Sequence, residues 1–170
     1  MTETPEVAIR PWSKDDLPLL RRLMGDPAMT EHLGGPESEE KLRSRHERYC
    51  RIAATGPNQV FVITIGPDAT PAGSVLYWET ESHGGPAWEM GWSVLPEFQG
   101  KGIASRGAQL ALDHAAAQRR HRYMHAFPVV DNTASNRLCE RLGFELLETT
   151  DFEYPPGNPV TGHNWRRALW

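Results

Sequence analysis

Val94-Leu95-Pro96-Glu97-Phe98-Gln99-Gly100-Lys101-Gly102-Ile103-Ala104 runs from the end of a strand, through a tight turn, directly into a helix. The first backbone N–H groups of a helix have no partner within it and lie at the positive end of its dipole, so such a turn can cradle phosphate oxygens. A side chain at Gly100 or Gly102 would stand between the backbone and the phosphate, and Ala104 is about the largest group that face tolerates. Taken alone, the two glycines serve equally well as turn residues. The segment matches neither G-x-x-x-x-G-K-[ST] nor a G-x-G-x-x-G inside a repeating parallel unit, which argues against nucleoside triphosphates and dinucleotides.

Upstream of this turn, Val7 to Arg10 reads as a strand, and Ser13-Lys14-Asp15-Asp16 has the capping-box spacing that opens a helix carrying Leu17, Leu20 and Met24 on one face. Gly25 to Pro36 is a loop by composition, and Glu37 to Ala54 returns to a helical period. Strands follow at Gln59 to Ile65, Gly73 to Glu79 and Trp88 to Leu95, each bounded by Gly or Pro. Downstream, Ser105 to Arg119 is a helix whose Ala104, Ala108, Ala111 and Ala115 face lets it lie close on a sheet. Arg122 to Phe127 is a strand, Asn132 to Leu142 a short helix closed by Gly143, and Phe144 to Glu153 and His163 to Trp170 the last strands. Strands in a run, then strand-helix-strand-helix-strand, predict an α+β fold: one mixed sheet with helices on both faces, in a single domain spanning 1–170.

The bulk composition narrows the partners. A chain of 170 residues is about one domain, and Cys50 and Cys139 are too few for a disulfide framework, which suits a reducing, cytoplasmic setting. No basic segment followed by an apolar run opens the chain at Met1-Thr2-Glu3-Thr4-Pro5, and no apolar stretch approaches the roughly 20 residues that span a bilayer, so neither export nor a membrane partner is expected. A net charge of -4 argues against nucleic acid, which is held by clustered Lys and Arg. Of the seven histidines only His121 and His125 have close ligand spacing, and they straddle a helix-to-strand boundary, so no metal is expected. No Ser sits in a G-x-S-x-G elbow.

Two motifs about 30 residues apart carry a family resemblance. Gln99-x-x-Gly102-x-Ala104, preceded by a strand ending in Val-x-Pro, resembles the Q/R-x-x-G-x-G/A signature of the GNAT N-acetyltransferases. Asn132-Thr133-Ala134-Ser135-Asn136-Arg137-Leu138-Cys139-Glu140-Arg141-Leu142-Gly143-Phe144 resembles that family's N-x-x-S/A-x-x-L-x-x-x-x-G-F helix and strand start, and Asn-x-x-Ser is most similar to the Rim-type branch of ribosomal-protein N-terminal acetyltransferases. The resemblance implies the GNAT acyl-CoA N-acyltransferase fold, a mixed and mostly antiparallel sheet of about seven strands flanked by about four helices. It implies acetyl-CoA as co-substrate and direct transfer of the acetyl group to a primary amine, either a protein N-terminus or a small molecule. By carry-over, the backbone N–H groups of Gln99, Gly100, Lys101, Gly102, Ile103, Ala104 and Ser105 would hold the pyrophosphate, Val94 and Leu95 the pantetheine arm, and the N–H near Val94 the thioester oxygen.

Amine acetylation needs a base for the amine and a proton source for the departing thiolate. Period-2 alternation groups Glu89 with Gly91 and Ser93, opposite Trp88, Met90 and Trp92; Glu89 is the candidate base, with a solvated edge carboxylate as the other reading. Many family members carry a Tyr seven residues after the motif's Asn, where this chain has Cys139, a residue more often a buried hydrophobe than an acid. The Rim-type branch places a Ser near the sulfur, which makes Ser135 the candidate donor. Asn132 caps its helix and, by resemblance, also reaches the pantetheine. An acyl-CoA-binding sensor without turnover is the alternative function, and the oligomeric expectation is monomer or homodimer.

Overall fold

The computed structural model describes residues 4–170; the opening residues Met1 to Glu3 lie outside it. Seven strands form one sheet: β1 (Val7–Pro11), β2 (Gln59–Ile65), β3 (Thr70–Ser82), β4 (Gly85–Val94), β5 (Tyr123–Ala126), β6 (Glu145–Glu153) and β7 (Pro159–Ala168). Four helices accompany them: α1 (Leu17–Met24), α2 (Glu39–Ala54), α3 (Ile103–Gln118) and α4 (Thr133–Arg141). The strand order is β1-β2-β3-β4-β5-β7-β6, and only β4 and β5 run parallel, joined through α3. This is the expected mixed, mostly antiparallel sheet.

Alternation along the strands divides the core between two faces. Val60 and Val62 of β2 pack with Leu20 and Leu23 of α1 and Leu42 and Tyr49 of α2, while Phe61 and Ile63 pack under α3. The small-residue face of α3 does what its sequence suggests. Ala108, Ala111 and Ala115 are fully buried, and a side chain at Gly107 would press on Ile63, so the helix axis sits close to the sheet.

Local chemistry sets the element ends. Ser13 and Asp16 form the predicted capping box, and Asp16 also receives two hydrogen bonds from the Arg10 guanidinium at 2.8 and 2.9 Å, tying β1 to the start of α1. Helix α2 begins at Glu39 rather than Glu37 because the Ser38 hydroxyl accepts from the Lys41 N–H and fixes the cap there. Strands β3 and β4 run on past Glu79 into a hairpin closed by His83 and Gly84, both at positive φ, so the polar residues Thr80 to Ser82, beyond the expected strand end, are paired strand. Gly143 takes the expected left-handed conformation after α4. Leu95 lies outside β4, and β7 ends at Ala168 rather than Trp170.

Among the described residues no helix is long and apolar enough to cross a membrane. No group of three or more His, Cys, Asp or Glu side chains among them is placed to hold a metal ion. His121 packs edge-on against Trp88, whereas His125 hydrogen-bonds Asn164, so the two histidines serve separate contacts.

Candidate active site

The turn between β4 and α3 presents unspent donors. Gly100 and Gly102 have φ of 73° and 77°, a region that disfavours side chains, and nothing lies within 4 Å of where a Cβ would stand on either. Gly102 caps α3 without a side-chain cap bond, and its carbonyl accepts from Arg106 as the first rung of the helix. Among the described residues, the N–H groups of Gly102, Ile103, Ala104 and Ser105 make no hydrogen bond within the chain. Open space faced by four backbone donors at the positive end of a sixteen-residue helix fits the pyrophosphate of coenzyme A.

Two residues assigned to the coenzyme by sequence do other work. The Gln99 N–H is spent on the Pro96 carbonyl in the tight turn, so it cannot join the phosphate donors; its side-chain amide instead donates to the Val94 carbonyl at 2.9 Å. Leu95 is buried among α1 and α2 residues, its N–H donates to Ala72 and its carbonyl accepts from Phe98. These bonds clarify Val94. Because Leu95 N–H points at β3, ladder alternation turns the Val94 N–H the other way, toward β5. There β5 is missing. Its pairing with β4 stops at Trp88↔Met124 and Glu89↔His125, since from Pro128 onward the chain follows β7. The Val94 N–H therefore faces a wedge between splayed strands, its carbonyl already braced by Gln99.

A cavity of about 610 Å³ opens at that wedge and is lined from both faces of the sheet. Glu89, Gly91 and Ser93 reach it from the side of α1 and α2, as their alternation predicts. Burial pushes the Glu89 carboxyl up to about 7, partly offset by the Trp78 indole N–H. Trp92, Asn132 and Ser135 line it from the α4 side. The Trp92 indole donates to the Ser135 hydroxyl oxygen at 3.2 Å, which bridges the splayed strand to α4 and leaves the Ser135 O–H free to donate. Asn132 caps α4 through its side-chain oxygen, which accepts from Ser135 N–H at 3.1 Å, and it lines the cavity as well. Cys139 is fully buried in the core, and burial pushes its thiol up to about 12, so it packs rather than reacts.

Trp78 and Trp92 also line the cavity, and Trp92 packs against the core from there. Sequence reading passed over Arg45 and Tyr49, which line the far end; their i, i+4 spacing on a helix was the available signal.

Known proteins share this fold. A model of the acetyltransferase (GNAT) domain matches residues 6–145. A GNAT-family acetyltransferase from Bacillus anthracis superposes with a TM-score of 0.80 at 19% identity, covering 98% of this chain and 97% of its own. An acetyl transferase from Salmonella typhimurium that modifies the N-terminal serine of ribosomal protein L7/L12 gives 0.80 at 24% identity, with 95% and 94% covered. Spermidine N-acetyltransferase from Vibrio cholerae, solved with CoA and spermine, gives 0.79 at 19% identity, with 96% and 95% covered.

Proposed function

This chain belongs to the GNAT acetyltransferase family and is an acetyl-CoA-dependent N-acetyltransferase; from that premise we propose that it acetylates a primary amine by direct transfer in a ternary complex, with Glu89 as base. The observation that carries the assignment is the position of Glu89 in a cavity that opens where β4 and β5 part, lined there by Gly91, Trp92 and Ser93. When bound, acetyl-CoA supplies an activated acyl group as a thioester.

The residues of the chain do the rest. A carboxyl titrating near 7 is poised to take a proton from an ammonium group at neutral pH, because its ionised and protonated forms are both populated. The Val94 N–H, fixed by the β3 ladder and by Gln99, faces the oxygen on which negative charge develops, and such a preorganised donor stabilises the transition state by a few kcal/mol. Ser135 lines the cavity with its O–H unspent and would return a proton to the departing thiolate. The shared Asn-x-x-Ser motif supports a place on the Rim-type branch, as does the likeness to the L7/L12-modifying enzyme.

Initial rates measured against both substrates test direct transfer. Intersecting reciprocal plots are expected for transfer within a ternary complex. Parallel plots would overturn the reading.

A further inference from the structure

The far end of the cavity, away from the thioester wedge, is walled by α1, α2, the loop joining them and the β6–β7 hairpin. Loop and hairpin touch one another: a Cβ on Gly34 would stand 2.5 Å from Pro155 Cδ, while His32 and Leu33 on one side and Glu153 and Tyr154 on the other line the space between. A protein N-terminus must trail its chain out of the cleft, and this contact closes that route on the hairpin side. The interior is largely apolar, with Leu20, Leu23, Leu76, Trp78 and Phe152 among its walls.

Two of the polar groups there, Tyr49 and Arg45, hold donor hydrogens without acceptors. Tyr49 is 5% exposed, and its hydroxyl oxygen accepts from Arg45 Nη1 at 3.3 Å. Among the described residues its own O–H hydrogen bonds to nothing, and burial raises the phenol pKa against the pull of Arg45, so that hydrogen stays on. Arg45 spends Nε on Glu37 at 2.6 Å and one Nη1 hydrogen on Tyr49; its other Nη1 hydrogen and both on Nη2 have no acceptor among the described residues. Arg45 is also the one Lys or Arg among the cavity's described lining residues. The remaining charged groups there are Glu89 at the wedge and Glu153, which is exposed and accepts from the Gly157 N–H. Because Glu37 already balances the guanidinium, this end offers unspent hydrogen-bond donors rather than excess positive charge. An ammonium cannot use them. A carboxylate uses them fully, accepting from the guanidinium edge and the phenol together.

We propose that the acceptor is a small amine with an apolar body and a carboxylate at the opposite end, the amine lying at Glu89 and the carboxylate on Arg45 and Tyr49. The orientation rests on the reading of Glu89 as base. The probes are 4-(2-aminoethyl)benzoate and 2-phenylethylamine, which share an amine and a ring and differ in the carboxylate, and tri-alanine amide, which offers a free N-terminus and no carboxylate.

Calorimetric titration of each into the full chain saturated with CoA is expected to show the benzoate binding at least about tenfold more tightly than phenylethylamine or the peptide amide. The ratio should collapse toward one in R45M/E37Q, which avoids leaving Glu37 unpaired. It should fall several-fold in Y49F, which removes only the hydroxyl and keeps the ring packed if the double variant fails to fold. Equal affinities, tighter binding of the peptide amide, no measurable binding of the benzoate, or a ratio that survives both variants would each overturn the carboxylate site. Acetylation rates of the same amines separate the two readings: transfer to phenylethylamine without an affinity ratio removes the carboxylate site and leaves acetyl transfer standing, whereas a clear ratio with full activity in E89Q removes Glu89 as base alone.

Discussion

Replacing Glu89 by Gln is expected to make the protein more stable and less active, and the two effects should share one pH dependence. The carboxyl is buried beneath Trp78 and titrates near 7 in place of 4.5. The folded state therefore holds the proton more tightly than the unfolded chain does. That extra stability is fully present below about 4.5 and is lost as pH rises through about 7. At about 1.4 kcal/mol per pH unit, the cost of keeping the ionised carboxylate in place reaches roughly 3 kcal/mol by pH 8. Gln keeps the shape but has no charge to desolvate. Near pH 5 wild type and E89Q should differ by less than about 1 kcal/mol, roughly 2 to 3 °C. By pH 8 the variant should melt higher, by about 6 to 12 °C for a domain of this size. Over the same range, log kcat/KM of the wild type should fall with unit slope below about pH 7, and E89Q should lose roughly a hundredfold or more at pH 8. Melting curves from pH 5 to 8.5 and steady-state rates in the same buffers measure both. Parallel melting-temperature profiles for the two proteins would refute the buried carboxylate, and an unchanged acid limb in E89Q would refute its part in catalysis.

Other expectations follow from the same geometry. Gly102→Glu puts a charged side chain into the open space before the α3 donors and should abolish acetyl-CoA binding by calorimetry; Gly102→Ala, which carries the same backbone strain without the charge, should bind with smaller loss. Ser135→Ala should lower kcat by about tenfold, less than E89Q, because a thiolate with a pKa of about 8.5 leaves tolerably without an acid. Equal losses in the two variants would show that the proton donor matters as much as the base. Gly73→Ala would drive its methyl group into the Ser93 carbonyl opposite, forcing the β3–β4 ladder apart next to Val94. A loss of about 2 to 3 kcal/mol in urea unfolding is expected, together with weaker transfer in the fraction that folds.

Most of the fold could be read from periodicity because each element carries its own signal. The alanine face of α3, the capping box at Ser13 and the αL glycine after α4 are local, and each sits where the sequence placed it. Misjudged boundaries lay where the deciding partner is distant in sequence or polar. Thr80 to Ser82 carry no apolar alternation and become strand only because Gly85 to Ala87 return beside them. Helix α2 gained an early start from the charged run at its head, whereas the Ser38 hydroxyl fixed its true first turn.

The site divides along the same line. A sequence motif records which residues stand together, but not which backbone groups are already committed. Gln99 and Leu95 sit inside the motif, and both have their N–H groups committed within the chain. Their commitment is what aims the Val94 N–H. With Leu95 bonded to Ala72, alternation leaves Val94 no partner on β3; with Gln99 on the Val94 carbonyl, the same peptide strand cannot turn back to close the wedge. The motif's glutamine is thus explained as a brace on the Val94 carbonyl. Arg45 and Tyr49 are the opposite case, far from any motif and joined to the site only by packing α2 over the sheet. A GNAT chain can therefore keep the coenzyme half of its site legible in sequence while the acceptor half emerges only with tertiary structure.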